Sequence, residues 1–362
     1  MSRGALAEIN LSALRLNLQR VRELAPRARA VAVIKANGYG HGIVRVAHAL
    51  GGADAFAVAS IDEALELRAA GISQRIVLLE GIFEAAEIPL VQKERLDIVV
   101  HHHMQLQLLE SARFDVADLL QVWVKIDTGM HRLGFAPENL PDVLRRLRAC
   151  AGLAPNRILM THLASADERS STMTTQQVAC FESATQAQHS ARSMANSAGI
   201  LAWPQTHYDW VRPGLMLYGI SPFIDSSAAQ EGLLPVMTIK SRLIAVNQFK
   251  QGDPIGYGGS WVCPQDMPVG VVAFGYGDGY PRHAASGTPV LVNGQRVALI
   301  GRVSMDMITV DLRSQPHAQA GDPVVLWGED LPVEEIARCA GTIPYELVCG
   351  ITQRVRVIDV EV

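Results

Sequence analysis

Ala32-Val33-Ile34-Lys35-Ala36-Asn37-Gly38-Tyr39-Gly40-His41-Gly42 joins the end of a short apolar run to a glycine-rich loop. The apolar residues are typical of a strand that is buried on both faces, as in a parallel sheet. Lys35 comes directly after this strand, and the glycines that follow allow the backbone to approach a ligand closely. An isolated strand-end lysine usually extends to solvent, but in this setting Lys35 is a candidate for chemistry. Desolvation lowers the pKa of a lysine and so supplies the neutral amine that Schiff-base formation needs.

Similar apolar runs recur along the first two-thirds of the chain and alternate with helical patterns. The predicted strands are Ala30–Ile34, Ala55–Ala59, Arg75–Leu79, Leu96–Val100, Val122–Ile126, Ile158–His162, Ser193–Asn196 and Tyr208–Arg212. The predicted helices are Leu11–Leu24, Ile43–Leu50, Ile61–Ala70, Met104–Ser111, Leu140–Arg148 and Thr175–Arg192. Repeated βα units indicate an α/β fold, either a barrel or a doubly wound sheet, and eight of them favour a (β/α)8 TIM-type barrel.

After about Leu234 the pattern changes to short β-like runs separated by Gly and Pro, which predicts a mostly antiparallel β domain. Its predicted strands are Val236–Phe249, Gly270–Phe274, Pro289–Val292, Val297–Ile300, Met307–Leu312 and Pro323–Leu326, and Val333–Ala340 is its one predicted helix. The linker is expected near Ser226–Gly232. We therefore predict a barrel over residues 1–230 and a β domain over residues 231–362, with the first few residues able to join the second domain.

Composition excludes several classes of protein. The chain has 362 residues, 49% hydrophobic and 19% charged, which is enough apolar material for a large core and excludes general disorder. The net charge of −4 gives no attraction to nucleic acid or anionic lipid. No apolar run approaches the roughly 20 residues of a membrane span, and no signal-peptide pattern is present. Five cysteines without a C-x-x-C pair argue against a disulfide framework or a zinc site. We expect a cytoplasmic enzyme or binding protein.

Several polar residues lie at or directly after the ends of predicted barrel strands. They are Lys35, Lys125, His162, Asn196, Ser197 and Arg212. In a barrel these strand ends meet at one face, where such folds carry their active sites. Phosphate is commonly held there by the loops after strands seven and eight. The Ser197 hydroxyl and the N–H groups of Gly214 and Leu215 lie in those loops, although each alone would be read as ordinary loop chemistry.

The Lys35 segment resembles the pyridoxal-phosphate lysine motif of alanine racemases. Seven further segments match that family in order, at residues 124–134, 161–167, 196–199, 211–219, 256–259, 275–282 and 301–307. The resemblance therefore covers both predicted domains. It implies a homodimeric enzyme with active sites shared between subunits. It also implies interconversion of L-alanine and D-alanine, which supplies or consumes D-alanine for the bacterial cell wall.

The resemblance also assigns the cofactor site. Lys35 would form the Schiff base with pyridoxal phosphate, and the phosphate contacts would be Tyr39, Ser197, Gly214, Leu215 and Tyr345. His162 and Asn196 complete the expected cofactor site. Arg212 would face the pyridine nitrogen. Because its pKa is too high for it to give up a proton, it would donate a hydrogen bond to an unprotonated nitrogen, which disfavours side reactions such as transamination.

Racemisation needs an acid–base group on each face of the substrate Cα. By resemblance these groups are Lys35 and, from the second domain of the partner subunit, Tyr257, with His162 beside the tyrosine and Arg212 beyond. The remaining implied residues are Arg132 and the Met305 N–H for the substrate carboxylate, and Tyr276, Arg282, Arg302, Asp306 and Tyr345 for the entryway. Lys125 is expected to be carbamylated and paired with Arg132; the alternative is an unmodified lysine paired with an acid such as Asp127.

Three other functions stay open at this point. A fold-related decarboxylase would share the barrel and lysine but should carry an acidic partner for the pyridine nitrogen. A non-catalytic pyridoxal-phosphate carrier would lack the second domain. A racemase of broader specificity, including activity on serine, is compatible with the sequence. His101-His102-His103 could bind a metal, but the run follows a strand and is interpreted as a solvated loop, so no metal site is predicted.

Overall fold

The computed structural model describes residues 4–114 and 118–361. Its strands are β1 Leu6–Asn10, β2 Arg29–Val33, β3 Ala55–Val58, β4 Arg75–Leu78, β5 Leu96–Val100, β6 Val122–Lys125, β7 Ile158–Met160, β8 Ala191–Ser193, β9 Trp210–Val211, β10 Met237–Phe249, β11 Pro254–Ile255, β12 Trp261–Val262, β13 Met267–Val272, β14 Pro289–Val292, β15 Gln295–Ile300, β16 Ile308–Asp311, β17 Pro323–Trp327 and β18 Arg356–Val360. Its helices are α1 Leu11–Leu24, α2 Lys35–Tyr39, α3 Ile43–Ala49, α4 Ile61–Ala69, α5 Ile88–Lys93, α6 His103–Ser111, α7 Leu140–Ala149, α8 Thr172–Thr185, α9 Ser197–Ala202, α10 Val333–Ala340 and α11 Pro344–Cys349.

Strands β2 to β9 form a closed barrel in chain order, and every pairing around it is parallel. The predicted TIM-type barrel is thereby confirmed. The strands are buried almost throughout, because helices cover the outside and side chains from alternate strands fill the inside. The carboxyl ends of all eight strands consequently open onto one face, and the loops that follow them are held close together.

Two local predictions within the barrel were wrong. The helix predicted to end at Arg192 ends at Thr185, and the segment after it forms β8. Residues 186–190 are mostly polar and offer no apolar face to bury, so the helix gains nothing by continuing. The run His101-His102-His103 is loop only in its first two residues, because His103 begins α6; the His102 ring accepts a hydrogen bond from the Met104 N–H at 3.2 Å and caps that helix.

The second domain is a sheet in the order β13-β16-β15-β14-β17-β10-β1-β18. Its pairings are antiparallel except that of β1 with β18, which is parallel. The predicted mostly antiparallel domain is confirmed. Strand β1 comes from the other end of the chain and lies between β10 and β18. The 13-residue strand β10 runs along the sheet and pairs with β1, β13 and β17. No helix in the described ranges has the length and apolar character of a membrane span.

The short α2 after β2 is not a regular α-helix but a left-handed turn, and it brings the two domains together. Ala36, Asn37 and Gly38 have φ between 53° and 61°, and Tyr39 follows at 51°. Non-glycine residues seldom adopt this conformation, which costs roughly 1–2 kcal/mol per residue. At Gly40 a Cβ atom would lie 2.1 Å from the Val348 carbonyl oxygen, so only glycine permits the contact with α11. Helix α11 of the β domain therefore packs directly on the lysine loop of the barrel.

Candidate active site

A cavity of about 460 Å³ opens at the carboxyl ends of the barrel strands. This volume is within the range of small-molecule sites in proteins. Eleven of the residues singled out from the sequence line it: Lys35, Tyr39, Lys125, Arg132, His162, Asn196, Ser197, Arg212, Gly214, Leu215 and Tyr345. A groove of about 510 Å³ beside Arg45 is more open, and none of these eleven residues lines it. We therefore take the barrel cavity as the candidate site.

Arg212 is the most firmly held cation of the cavity and is only 4% exposed. Its Nη1 donates to the Ser193 hydroxyl at 2.5 Å, and its Nη2 donates to the carbonyls of Thr161 at 2.6 Å and Met194 at 3.2 Å. Burial lowers the pKa of Arg212 to about 10, so the guanidinium keeps its charge at neutral pH. Together with the His162 ring described next, four neutral acceptors and, within residues 4–114 and 118–361, no carboxylate hold this charge, which leaves it uncompensated within its own set of contacts.

His162 lies beside this guanidinium and is held neutral. Its Nδ1 is 3.4 Å from Nη2 of Arg212, which can only donate, so Nδ1 accepts and the ring proton is on Nε2. Burial and the neighbouring cations Arg212 and Lys125 hold the pKa of His162 well below its usual range. An imidazolium would therefore be costly here, and His162 serves as a neutral ring that carries one N–H.

Ser197 and Gly214 form a cradle on the side of strands β8 and β9. The Ser197 hydroxyl oxygen accepts from the backbone N–H groups of Gly214 at 3.0 Å and Met216 at 3.2 Å. Both lone pairs are then used, so the hydroxyl proton stays available to a ligand. A Cβ atom at Gly214 would lie 2.9 Å from the Tyr39 hydroxyl oxygen, so the absence of a side chain at Gly214 provides the space that this hydroxyl occupies. The Asn196 side chain accepts from the Gly199 N–H at 3.0 Å and fixes the start of α9.

The aromatic rings of Tyr39 and Tyr345 close one wall of the cavity, and the Tyr218 ring packs against Tyr39. The ring centres of Tyr39 and Tyr345 are 5.9 Å apart, and those of Tyr39 and Tyr218 are 4.8 Å apart. Burial raises the pKa of Tyr345 to about 12 and that of Tyr39 further, so both phenols stay protonated and can donate hydrogen bonds at neutral pH. Tyr345 belongs to α11, which means that the β domain contributes to the cavity of its own chain.

Lys125 is 8% exposed at the end of β6. Burial, with Arg212 and Arg132 nearby, lowers the pKa of Lys125 to about 8. At pH 7 about one-tenth of such an amine is neutral, compared with less than about one part in a thousand for a free lysine. Asp127 accepts a hydrogen bond from the Gly129 N–H at 3.1 Å and lies 3.1 Å from Nδ1 of His131. Both of its carboxylate oxygens therefore already have partners in the turn that follows β6. The surroundings of Lys125 thus favour an uncharged or anionic form of the side chain.

The other singled-out residues lie outside the cavity lining. Tyr257 is in a 3-10 turn of the β domain and is 62% exposed, and Met305 is half-exposed. The rest of this group comprises Tyr276, Arg282, Arg302 and Asp306. The Arg354 guanidinium donates to Asp306 at 2.5 Å, and the Tyr276 N–H donates to the Ser304 carbonyl at 3.0 Å. These residues therefore lie on the exposed surface of the β domain in this single chain.

Two polar residues of the cavity wall were missed from the sequence. Glu80 follows β4 closely, and its position after a barrel strand was a signal that could have found it. Cys349 ends α11, and no sequence pattern points to its place in the wall. Burial raises the pKa of the Cys349 thiol, so it is protonated and weakly nucleophilic. Within residues 4–114 and 118–361, no group of three or more His, Cys, Asp or Glu side chains could hold a metal ion.

Comparison with known proteins agrees with this arrangement over the full chain. A model of the alanine racemase N-terminal domain matches residues 9–222, and one of the alanine racemase C-terminal domain matches residues 236–358. An alanine racemase of Nitrosococcus oceani is 58% identical over 96% of this chain and 97% of its own, and one of Vibrio cholerae is 51% identical over 98% and 97%.

Solved structures show the same likeness. The crystal structure of biosynthetic alanine racemase from Pseudomonas aeruginosa has a TM-score of 0.96 and 46% identity, with 100% of both chains covered. Alanine racemase from Bartonella henselae, solved with covalently bound pyridoxal phosphate, has a TM-score of 0.88 and 27% identity, with 99% of both chains covered. Since the likeness extends through both domains, the chain belongs to the alanine racemase family.

Proposed function

We propose that this chain interconverts L-alanine and D-alanine with pyridoxal phosphate held in the barrel cavity. The observation that carries the proposal is that Lys35, the buried Arg212 cation and the Ser197–Gly214 cradle lie around one cavity. The residues present fit the cofactor, because an amine, a fixed donor and a phosphate-sized set of donors face the same space. Pyridoxal phosphate would supply an electron-withdrawing ring that, once joined to the amino acid in place of Lys35, acidifies the Cα–H bond and leaves the Lys35 amine free to handle the proton.

The residues of the cradle would hold the phosphate. The Ser197 and Tyr39 hydroxyl groups would both donate hydrogen bonds to the phosphate, and the Tyr345 ring would close the wall. Leu215 begins a 3-10 turn, so its N–H has no partner within that turn and is available to an anion. Arg212 would donate to the pyridine nitrogen. Its four contacts fix the guanidinium in place before the cofactor arrives, and Asn196 and His162 border the same space.

Proton transfer requires a group on each face of the substrate Cα. Lys35 Nζ would hold or return the proton on one face. Tyr257 does not line the cavity of its own chain, and its exposure suits a group that reaches the cavity of a second copy. We therefore place Tyr257 of the partner subunit on the other face, in a two-fold symmetric homodimer. The neutral His162 ring would lie beside that phenol and the Arg212 charge behind it, which disfavours proton storage on the imidazole.

Arg132 and the Met305 N–H would bind the substrate carboxylate, the second again from the partner. The residues Tyr276, Arg282, Arg302 and Asp306 would line the entry path, which Tyr345 borders from the barrel side. Closely placed tyrosines would favour a small side chain such as a methyl group. The division of the chain near residue 230, a cytoplasmic location and a role in supplying D-alanine to the bacterial cell wall stay predictions.

We also propose that Lys125 is carbamylated, which would turn a costly buried cation into an anion that pairs with Arg132. With ¹³C-labelled bicarbonate, a carbamate signal is expected in the NMR spectrum of the wild-type protein. Because the neutral amine reacts, the signal should grow as pH rises towards the lysine pKa of about 8 at constant CO2 pressure. The Lys125→Arg variant keeps a cation and should lack the signal. A wild-type spectrum without it would show that Lys125 is unmodified.

The proposed activity is tested by incubating the purified protein with pyridoxal phosphate and L-alanine and following D-alanine by chiral separation. Rapid conversion of L-alanine, with slower or no conversion of L-serine and L-lysine run in parallel, is expected. Release of CO2 from any amino acid would favour a decarboxylase instead. A visible absorption band that forms with the cofactor while no amino acid reacts would indicate a carrier.

A further inference from the structure

His41 belongs to the lysine loop and has no part in the mechanism proposed above. It is fully buried, and burial lowers the pKa of His41 to about 4, so the ring is neutral. Its Nδ1 lies 2.8 Å from the Tyr39 carbonyl and 3.1 Å from the Gly38 carbonyl. Two carbonyl acceptors require that Nδ1 carries the proton, so Nε2 is an acceptor. Among the described residues this Nε2 is buried and has no partner.

A second buried polar atom without a described partner belongs to another residue that lines the same small cavity. The indole Nε1 of Trp327, a fully buried residue at the end of β17, is also unpaired among the described residues. His41 and Trp327 line one small cavity between the barrel and the β domain, with a volume of about 10 Å³. A buried donor or acceptor that is left unpaired destabilises a protein, so two in one place need an explanation.

One water molecule would satisfy both atoms. The cavity volume is near the roughly 10–15 Å³ of probe-occupied space that a single water requires. A water can accept from an indole N–H and donate to an imidazole nitrogen, and buried waters commonly make 2–4 such bonds. A direct bond between His41 and Trp327 does not form, since both atoms are without a protein partner in the described part of the chain.

We propose that this cavity is a binding site for one ordered water, which bridges Trp327 to His41 and makes His41 a positioning residue for the lysine loop. The role in positioning rests on the function proposed above. The bridge continues from Nδ1 of His41 into the carbonyls of the left-handed turn that begins after Lys35. The Tyr218 ring lies between the rings of His41 and Tyr39, with centres 4.6 Å and 4.8 Å away. The β domain thereby holds the loop that presents Lys35 and Tyr39 to the cavity.

A conservative substitution of either Trp327 or His41 would remove one hydrogen-bonding partner of the water. Trp327→Phe removes the N–H and keeps an aromatic ring. His41→Asn keeps an amide N–H for the loop carbonyls and removes the Nε2 acceptor. Each variant is expected to raise the dissociation constant of pyridoxal phosphate about tenfold, which corresponds to 1.4 kcal/mol. It should also shift the visible circular dichroism of the bound cofactor. The double variant should bind pyridoxal phosphate no more weakly than the weaker-binding single variant, because both substitutions break the same hydrogen-bond network.

Trp123→Phe is the matched control. Trp123 is fully buried and its Nε1 donates to Asp97 at 2.8 Å, within strands β5 and β6 of the barrel. Its loss should lower the melting temperature and leave cofactor affinity and circular dichroism unchanged. In a high-resolution crystal structure of the wild-type protein, density for one water within hydrogen-bond distance of both nitrogens is expected.

The inference would be overturned by an empty cavity in that density, or by wild-type cofactor affinity and circular dichroism in Trp327→Phe. Additive losses in the double variant would also contradict a shared network. A wild-type chain that bound no pyridoxal phosphate would instead refute the proposed function, and the positioning role with it. The density would still decide whether the water is present, so the two failures are distinguishable.

Discussion

A chain carrying Lys35→Ala is expected to racemise alanine at least about 10⁴-fold more slowly than the wild-type chain, the upper end of what a positioned acid–base group contributes. The change removes two things at once: the amine that joins the cofactor and the group that handles the proton on one face of Cα. The rest of the cavity should keep its structure, because Arg212 and the cradle are held by contacts that do not involve Lys35. Chiral separation of D-alanine from L-alanine gives the rate.

The absorption spectrum makes this test more specific. Lys35→Ala should lose the visible band of the lysine-bound cofactor, and the protein should release pyridoxal phosphate on gel filtration. Lys250→Ala is the control, since Lys250 is an exposed lysine paired with Asp266 at 2.8 Å in the β domain. It should behave as wild type in both measurements. A Lys35→Ala protein that still racemised at the normal rate would refute the assignment of the lysine.

The second large effect is expected from Tyr257 and is best measured in mixtures. Tyr257→Phe should lower racemisation by about 10²–10⁴-fold, because it removes the acid–base group from one face. If this group acts in the partner's cavity, a dimer of one Lys35→Ala chain and one Tyr257→Phe chain has one site with both residues intact. Random re-pairing of the two inactive proteins should therefore restore about a quarter of the wild-type activity per chain.

Controls for this experiment follow from the same geometry. Each inactive protein that is unfolded and re-paired alone should stay inactive, and a chain with both changes should restore nothing when mixed with either single variant. If the site were confined to one chain, no mixture would recover activity, and the shared-site homodimer would be refuted. Re-pairing can be followed independently by mass spectrometry of the mixed dimers.

The barrel was predictable because its strands are continuous apolar runs. Leu96–Val100 has the predicted bounds, and most other barrel strands differ by one or two residues at an end. Errors arose where an element depends on distant partners. Strand β8 is only three residues long, and its place is set by pairing with β7 and β9 rather than by its own polar sequence.

The cavity was predictable for a related reason. A barrel brings every strand end to one face, so Lys35, His162 and Arg212 could be placed together without knowledge of their contacts. The sequence could not reveal that, among the described residues, the acceptors around Arg212 are all neutral, or that Cys349 enters the wall from the β domain. Such facts depend on packing between segments far apart in the chain. The motif around Tyr257 was recognisable as a resemblance, but its position relative to a second subunit is not visible in one chain.

The position of β1 between β10 and β18 has a consequence for how the protein is made. A ribosome releases Leu6–Asn10 first, and the register partners Arg356–Val360 emerge only after the whole barrel and most of the β domain have been synthesised. Closing so long a loop adds little free-energy cost, since that cost grows only with the logarithm of length, but such distant pairing is slow. In the meantime β1 offers unpaired edges to the wrong strands of neighbouring nascent chains. Expression conditions that slow translation or supply chaperones should therefore raise the yield of folded protein. Cleavage between the domains would separate β1 from its neighbours β10 and β18.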